Sequence, residues 1–272
     1  MPKQRLDTLL AARGLFSSRS RAAASVMAGE VRVGPEGRRA EKPGELVAED
    51  TRVSVREPPR FVSRGGIKLE NALARMDVPV AGRRALDVGA ATGGFTDCLL
   101  QRAAAEVVAV DVGYGELDYG LRTDPRVRVL ERTNARGLTP EMLQGGPCDL
   151  AVVDVSFISL AKVLPAVLGC LAERYDVLAL VKPQFEVGRE RVGKGGVVRD
   201  AGDRRAALVA VAKAAHELGA SVLGFCSSGL PGPKGNLETF VWLAEGADRG
   251  SVRTGAARGV EEIERMARQV EP

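Results

Sequence analysis

The sequence predicts an α/β protein: a doubly wound sheet of seven strands that ends in an antiparallel hairpin, with a smaller α+β unit in front. Three observations predict this. Five apolar runs, at 85–88, 107–110, 127–130, 150–155 and 177–181, are continuous rather than alternating, as in parallel strands buried on both faces and separated by helices. Two further runs, 222–225 and 240–243, are joined by SSGLPGPKGN, which is rich in turn residues and has no helical period, so they read as an edge hairpin. A chain of 272 residues with 45% hydrophobic composition is long enough and apolar enough for about two packed domains.

The elements follow in chain order. Leu6, Leu9 and Leu10, then Ala22, Ala23, Val26 and Met27, recur at helical spacing on either side of Gly14 and a turn at Ser17 and Ser18, which predicts two short helices. Gly29 ends the second. Val31 and Val33 alternate as a strand, Pro35 and Gly37 make a turn, and Val53 and Val55 form another strand. Pro58 and Pro59 can continue neither a helix nor a ladder. The boundary falls there, giving a small unit over 1–60 and a larger body over 61–272. In the body, SRGGIKL opens a first helix and each apolar run is a strand. A long helix spans 204–218 and carries the only histidine, His216, as a structural residue. Trp242 packs in the final strand, and 258–268 is a charged terminal helix.

The net charge is only +4, but its distribution is uneven. The first sixty residues hold twelve basic and eight acidic side chains, and the remainder holds 27 of each. A basic unit appended to a neutral body is the electrostatic footprint of a nucleic-acid-binding module. No window approaches the ~20 uninterrupted apolar residues of a membrane span. The first ten residues, MPKQRLDTLL, carry charges through their apolar stretch, unlike a signal peptide. A cytoplasmic protein without membrane association is expected. Cys98, Cys148, Cys170 and Cys226 are dispersed, with no C-x-x-C spacing, and read as reduced core residues rather than metal ligands.

The first strand of the body runs into DVGAATGGFTD, residues 87–97. Glycines at a strand-to-helix turn let the backbone approach a ligand closely. Gly89, Gly93 and Gly94 miss the G-x-G-x-x-G spacing that seats a pyrophosphate. Asp87 before the loop and Asp111 after the next strand offer one carboxylate for an amino group and one for ribose hydroxyls. This is the pattern expected for S-adenosylmethionine, a cationic ligand without phosphate. Asp154 in VVDVSF, Lys182 in LALVKPQF, Glu238 in GNLETF and Lys68 in SRGGIKL stand toward the carboxyl edge, where open α/β sheets bind ligands. Charges within apolar strands need partners, so the four are expected to converge.

These residues carry a resemblance. Lys68, Asp154, Lys182 and Glu238 match the Lys-Asp-Lys-Glu tetrad of heat-shock-type RNA ribose 2′-O-methyltransferases. Arg5-Leu6-Asp7, SRSRA at 18–22, Gly29 with Val31 and Val33, and Lys42-Pro43-Gly44 resemble the S-four domain, a small RNA-binding fold first known from a ribosomal protein. An S-four domain fused to that catalytic domain resembles the TlyA family, rRNA cytidine 2′-O-methyltransferases also known historically as haemolysins. SRGGIKL, DVGAATGGFTD, DVSFISL, LVKPQFEVGR and PKGNLETF extend the resemblance over essentially the whole chain. It implies a class I, Rossmann-like methyltransferase fold using S-adenosylmethionine. The implied substrate is a ribose 2′-hydroxyl, of cytidine, in ribosomal RNA or assembled subunits of either size, without an obligate protein partner.

On this resemblance the tetrad is catalytic, and the cofactor set is Asp87, Gly89, Ala91, Gly93, Gly94, Asp111 and Asn134. Lys182 is the expected proton acceptor, oriented by both Asp154 and Glu238, with Lys68 holding the hydroxyl oxygen. Aromatics are only 4% of the chain, so no base-stacking platform is expected and RNA contacts should rest on charge. The contact set is Arg5, Arg19 and Arg21 in the small unit, Arg60 and Arg64 at the junction, and Arg189, Arg191 and Lys194 in GRERVGKGG, which reads as a mobile loop. Three other readings compete. A pseudouridine synthase is disfavoured by the extra residue in Arg84-Ala85-Leu86-Asp87 and by the glycine loop after it. A pore-forming haemolysin is disfavoured because the sequence shows no signal, membrane span or amphipathic barrel pattern. A non-catalytic ribosome-binding factor differs only in lacking turnover.

Overall fold

The computed structural model describes residues 3–16, 18–55, 60–246, 255–257 and 259–270. Ser17, Pro58, Pro59 and Arg258 lie outside the described residues. By contacts the chain divides into two compact units, Met1–Arg60 and Phe61–Pro272.

The first unit comprises β1 (Lys3–Arg5), α1 (Leu6–Ala12), α2 (Arg19–Ala28), β2 (Val31–Val33), β3 (Arg38–Arg39), β4 (Leu46–Ala48) and β5 (Val53–Val55). Ser18 caps α2 by accepting from Arg21 N, and Gly29 ends it in the left-handed region at φ 78°, where a residue without Cβ is unstrained. Leu6, Leu9 and Leu10 of α1 meet Ala22 and Val26 of α2 over Val31 and Val33. Met27, expected on the buried face, is 69% exposed. β2 pairs antiparallel with both β3 and β5, while β1 pairs antiparallel with β4.

The second unit comprises α3 (Arg64–Met76), β6 (Arg84–Val88), α4 (Gly94–Gln101), β7 (Glu106–Val110), α5 (Tyr119–Arg122), β8 (Val127–Leu130), β9 (Cys148–Val153), α6 (Leu164–Gly169), β10 (Leu171–Val181), α7 (Pro183–Glu186), α8 (Ala201–Glu217), β11 (Ser221–Ser227), β12 (Thr239–Ala244) and α9 (Val260–Gln269). The sheet order is β11-β12-β10-β9-β6-β7-β8, with β12 antiparallel to both of its neighbours and the other pairings parallel. All seven expected strands are present. Their continuous apolar character has a direct cause in the packing. Leu86, Val108, Ala151 and Ala179 face one core under α6, α8 and α9. Their neighbours Ala85, Val107, Leu150 and Leu178 face a second core under α3 and α4. Both faces are dry, so alternation disappears, and truncating Leu86 or Leu150 to Ala costs about 2–5 kcal/mol.

The connections are less regular than five αβ repeats. α5 and α7 have four residues each, and β8 reaches β9 through two 3₁₀ turns, Ala135–Gly137 and Pro140–Leu143. Gly113, Gly115 and Gly120, and then Gly137 and Pro140, deprive these stretches of helix-forming residues. α8 begins earlier than its apolar period indicates, because Asp200 accepts from Asp203 N at 2.8 Å and caps it. Among the described residues no helix is long and apolar enough to cross a membrane.

Candidate active site

Strand β6 has β7 on one side and β9 on the other. Successive crossovers therefore leave its carboxyl end in opposite directions, and a crevice opens at such a switch point. A cavity of about 680 Å³ lies there, lined by Gly89, Ala91 and Gly94 of the glycine loop and by all four ionisable residues, Lys68, Asp154, Lys182 and Glu238. Asp154 follows β9, Lys182 follows β10, Glu238 precedes β12 and Lys68 comes from α3.

The four form two pairs. Lys68 Nζ donates to Glu238 Oε2 at 2.5 Å, with both side chains buried. Lys182 Nζ stands 2.6 Å from Asp154 Oδ1 as an ion pair and donates to Ser156 Oγ at 2.9 Å. Sequence alone assigns both carboxylates to Lys182. The structure corrects this, because β12 runs antiparallel beside β10 and delivers Glu238 to Lys68 instead.

The glycine loop is shaped first by the protein. Gly89 has φ 88°, and a Cβ there would stand 2.5 Å from the Asp154 carbonyl oxygen. Glycine at this position lets the β6 and β9 ends close on each other. Gly93 is required by Leu117 and Leu121, whose side chains a Cβ would overlap. Asp111 clamps the loop from below, accepting from Ala91 N at 2.8 Å and Gly113 N at 2.7 Å. Asp87 is wholly buried on the α4 side. Its Oδ2 accepts from Thr96 Oγ1 at 2.6 Å and its Oδ1 has no partner among the described residues. Burial pushes this carboxyl up to about 7. Asn134 is exposed beyond β8, where it caps a 3₁₀ turn by accepting from Arg136 N at 3.0 Å, and it does not line the cavity.

A family profile described as FtsJ-like methyltransferase matches residues 61–245, and one described as S4 domain matches residues 4–53. The chain belongs to the FtsJ-like methyltransferase family. It is 52% identical, over 96% of this chain and 95% of the other, to a Mycobacterium tuberculosis protein named 16S/23S rRNA (cytidine-2′-O)-methyltransferase TlyA. It is 37% identical to a Brachyspira hyodysenteriae protein named Hemolysin A, over 86% of this chain and 97% of that one. Among solved structures it resembles a Streptococcus thermophilus protein described as a hemolysin candidate. The TM-score is 0.71 at 41% identity, covering 99% of this chain and 96% of that one.

Several residues of the FtsJ-like cavity escape sequence reasoning. Ser156 shares Lys182 with Asp154. Phe157 lines the cavity although it is 91% exposed, holds a left-handed backbone at φ 64°, and has Phe185 behind it at 5.1 Å between ring centroids. An overall aromatic content averages away a local pair of this kind; the usable signal is an aromatic just beyond a strand's carboxyl end. Glu186 accepts from Ser159 Oγ at 2.7 Å and Leu160 N at 2.8 Å, tying α7 to the Phe157 loop. Asn236 accepts from Val198 N at 2.9 Å and donates to Gly196 O at 2.8 Å. The GRERVGKGG segment is therefore ordered by local structure, a 3₁₀ turn at Arg189–Arg191 followed by a tight turn closed by a Gly193–Val197 bridge.

The expected RNA contacts separate by environment. In the methyltransferase unit, Arg64 lines the cavity and donates to Pro231 O at 2.8 Å, Arg191 pairs with Asp203 at 3.2 Å, and Arg189 and Lys194 are exposed, as is Arg60 at the end of the small unit. In the small unit Arg21 is exposed, and Arg5 and Arg19 share the carboxylate of Asp7.

Proposed function

We propose that this enzyme transfers a methyl group from S-adenosylmethionine to the ribose 2′-hydroxyl of cytidine in the ribosomal RNA of both subunits. The observation that carries the reading is the pair of lysine–carboxylate contacts at the switch point, in a chain 52% identical to a protein named for that reaction on 16S and 23S rRNA.

The residues present fit the cofactor. Asp87 is a buried acid with an unsatisfied oxygen, a group that a nearby cation would stabilise. Asp111 keeps unused lone pairs after accepting two backbone N–H groups, enough for ribose hydroxyls. Gly89, Ala91 and Gly94 line the cavity, whereas Asp87, Gly93, Asp111 and Asn134 are not part of its lining. When bound, S-adenosylmethionine supplies a sulfonium-activated methyl group.

The protein then has to align the hydroxyl and accept its proton. Lys182 Nζ donates to Ser156 and stands against Asp154 as an ion pair, which leaves one side of the nitrogen for the 2′-hydroxyl. To take the hydroxyl proton as the methyl leaves the sulfonium for the 2′-oxygen, Lys182 Nζ would first pass one of its own protons to Asp154, so that it faces the hydroxyl as a neutral amine. Lys68, fixed by Glu238, steadies the same oxygen from the opposite pair. Phe157, backed by Phe185, offers the cytosine ring a stacking face. Arg64, Arg189 and Lys194 meet the backbone phosphates around the cavity, and Arg5, Arg19 and Arg21 meet those at the S4 domain.

The test is transfer of labelled methyl from S-adenosylmethionine to purified small and large ribosomal subunits, followed by mapping of ribose methylation. Label on cytidine 2′-oxygens, lost in Lys182→Ala, is the expected result. Retained RNA binding with no transfer to either subunit would replace it with a non-catalytic binding factor.

A further inference from the structure

Asp7 is an acid in a place where RNA binding by charge alone would avoid one. Its side chain is 3% exposed, yet it sits against two arginines that are 46% and 59% exposed. Arg5 grips it with both ends of the fork, Nε to Oδ1 at 3.1 Å and Nη2 to Oδ2 at 2.7 Å. Arg19, from α2, brings Nε to within 3.2 Å of the same Oδ2. Thr8 Oγ1 donates to Oδ1 at 3.2 Å. The Arg5 guanidinium holds this carboxyl well below the usual range, so it stays ionised.

The surrounding backbone fits the arrangement. Leu6 N donates to Glu45 O and Asp7 N to Pro43 O, both at 2.9 Å, which seats the Lys42-Pro43-Gly44 turn against the start of α1. A Cβ on Gly44 would come 2.9 Å from Arg5 Nη1. Glycine there leaves room for the guanidinium to lie flat across the turn. Arginine is long and flexible, and ordering its side chain opposes binding. A buried carboxylate that takes part of each fork removes that freedom in advance, while the outward donors stay available to phosphate oxygens.

We propose that Asp7 is a positioning residue for RNA binding, its carboxylate holding Arg5 and Arg19 side by side as one site for the RNA phosphodiester backbone. This rests on the reading of the small unit as RNA-binding.

Because the acid carries the wrong charge for a phosphate site, positioning and simple electrostatics predict opposite signs. The experiment is equilibrium binding of the full chain to a ribosomal RNA transcript over a series of salt concentrations, with S-adenosylmethionine affinity as an internal control. Arg5→Ala and Arg19→Ala each weaken binding and lower the salt slope by about 1. Asp7→Asn, although it raises the net charge, also weakens binding, about three- to tenfold, and lowers the slope. Arg5→Lys keeps the charge but loses the fork, and behaves like Asp7→Asn. Should Asp7→Asn fail to fold, Arg5→Lys decides the matter alone. Tighter or unchanged binding in Asp7→Asn, or full binding in Arg5→Lys, overturns the positioning role while leaving the RNA site standing. Unchanged binding in both alanine variants overturns the site and the inference together.

Discussion

Lys68 Nζ lies 2.5 Å from Glu238 Oε2 across 170 residues of sequence, and among the described residues neither group forms a hydrogen bond or ion pair with Lys182 or Asp154. The cavity therefore holds two compensated pairs. Removing one partner of a buried pair leaves an uncompensated charge, at a cost of about 3–5 kcal/mol. Glu238→Ala and Lys68→Ala each lose stability of that order in urea unfolding. The double replacement Lys68→Met with Glu238→Leu recovers most of it, and all three variants lose methylation.

At the second pair, Lys182→Ala lowers turnover by about 10²–10⁴, the usual range for a lost proton-transfer group. Cofactor affinity by calorimetry stays near wild type, because Lys182 is separate from the glycine loop. Ser156→Ala has a smaller effect, about 3–10-fold, since the ion pair with Asp154 still holds Lys182. Wild-type turnover in Lys182→Ala would remove the assignment.

Asp87 gives a pH prediction. Its carboxyl is raised to about 7 by burial, so between about pH 4 and 7 the folded protein holds a proton that the unfolded chain has lost. Stability of the ligand-free protein then falls as pH rises through that window. Asp87→Asn removes the buried charge without removing the Thr96 contact. It melts above wild type at about pH 8, and the gap closes at about pH 5, where Asp87 is already neutral. Cofactor affinity moves the other way: it rises with pH in wild type as the anion forms, and is weak and flat in the variant.

Phe157 and Glu186 are predicted to act as a unit. Phe157→Ala weakens RNA substrate binding by about 1–3 kcal/mol, the range for one base–aromatic stack, and the loss appears mainly in KM. Glu186→Ala releases Ser159 and Leu160, so the exposed, left-handed Phe157 is no longer pinned. Its effect is in the same direction and smaller. In the double variant the two effects do not add, because they share one loop; full additivity would show that Glu186 acts elsewhere.

Much of the fold is legible because its cause is local. A strand between two dry cores needs an apolar residue at every position, and the runs at 107–110 and 150–153 show this residue by residue. β1 is not legible. Lys3, Gln4 and Arg5 have no apolar pattern, and they become a strand only because Leu46–Ala48 offers a backbone partner. The short helices α5 and α7 are similarly hidden, since single turns are stabilised by what they pack against rather than by propensity.

The sequence by itself determines the order and type of the main elements, the glycine loop, and the identities of Lys68, Asp154, Lys182 and Glu238 as charges of the cavity. Each is written in consecutive residues, through hydrophobic period, turn chemistry or a charge out of place in an apolar run. Only the tertiary structure decides which lysine meets which acid, that Ser156 and Phe157 share the cavity, and that Asp7 gathers Arg5 and Arg19. Hydrogen bonds and close ion pairs act over about 3 Å, and chain segments far apart in sequence come that close only once sheet order and register are set.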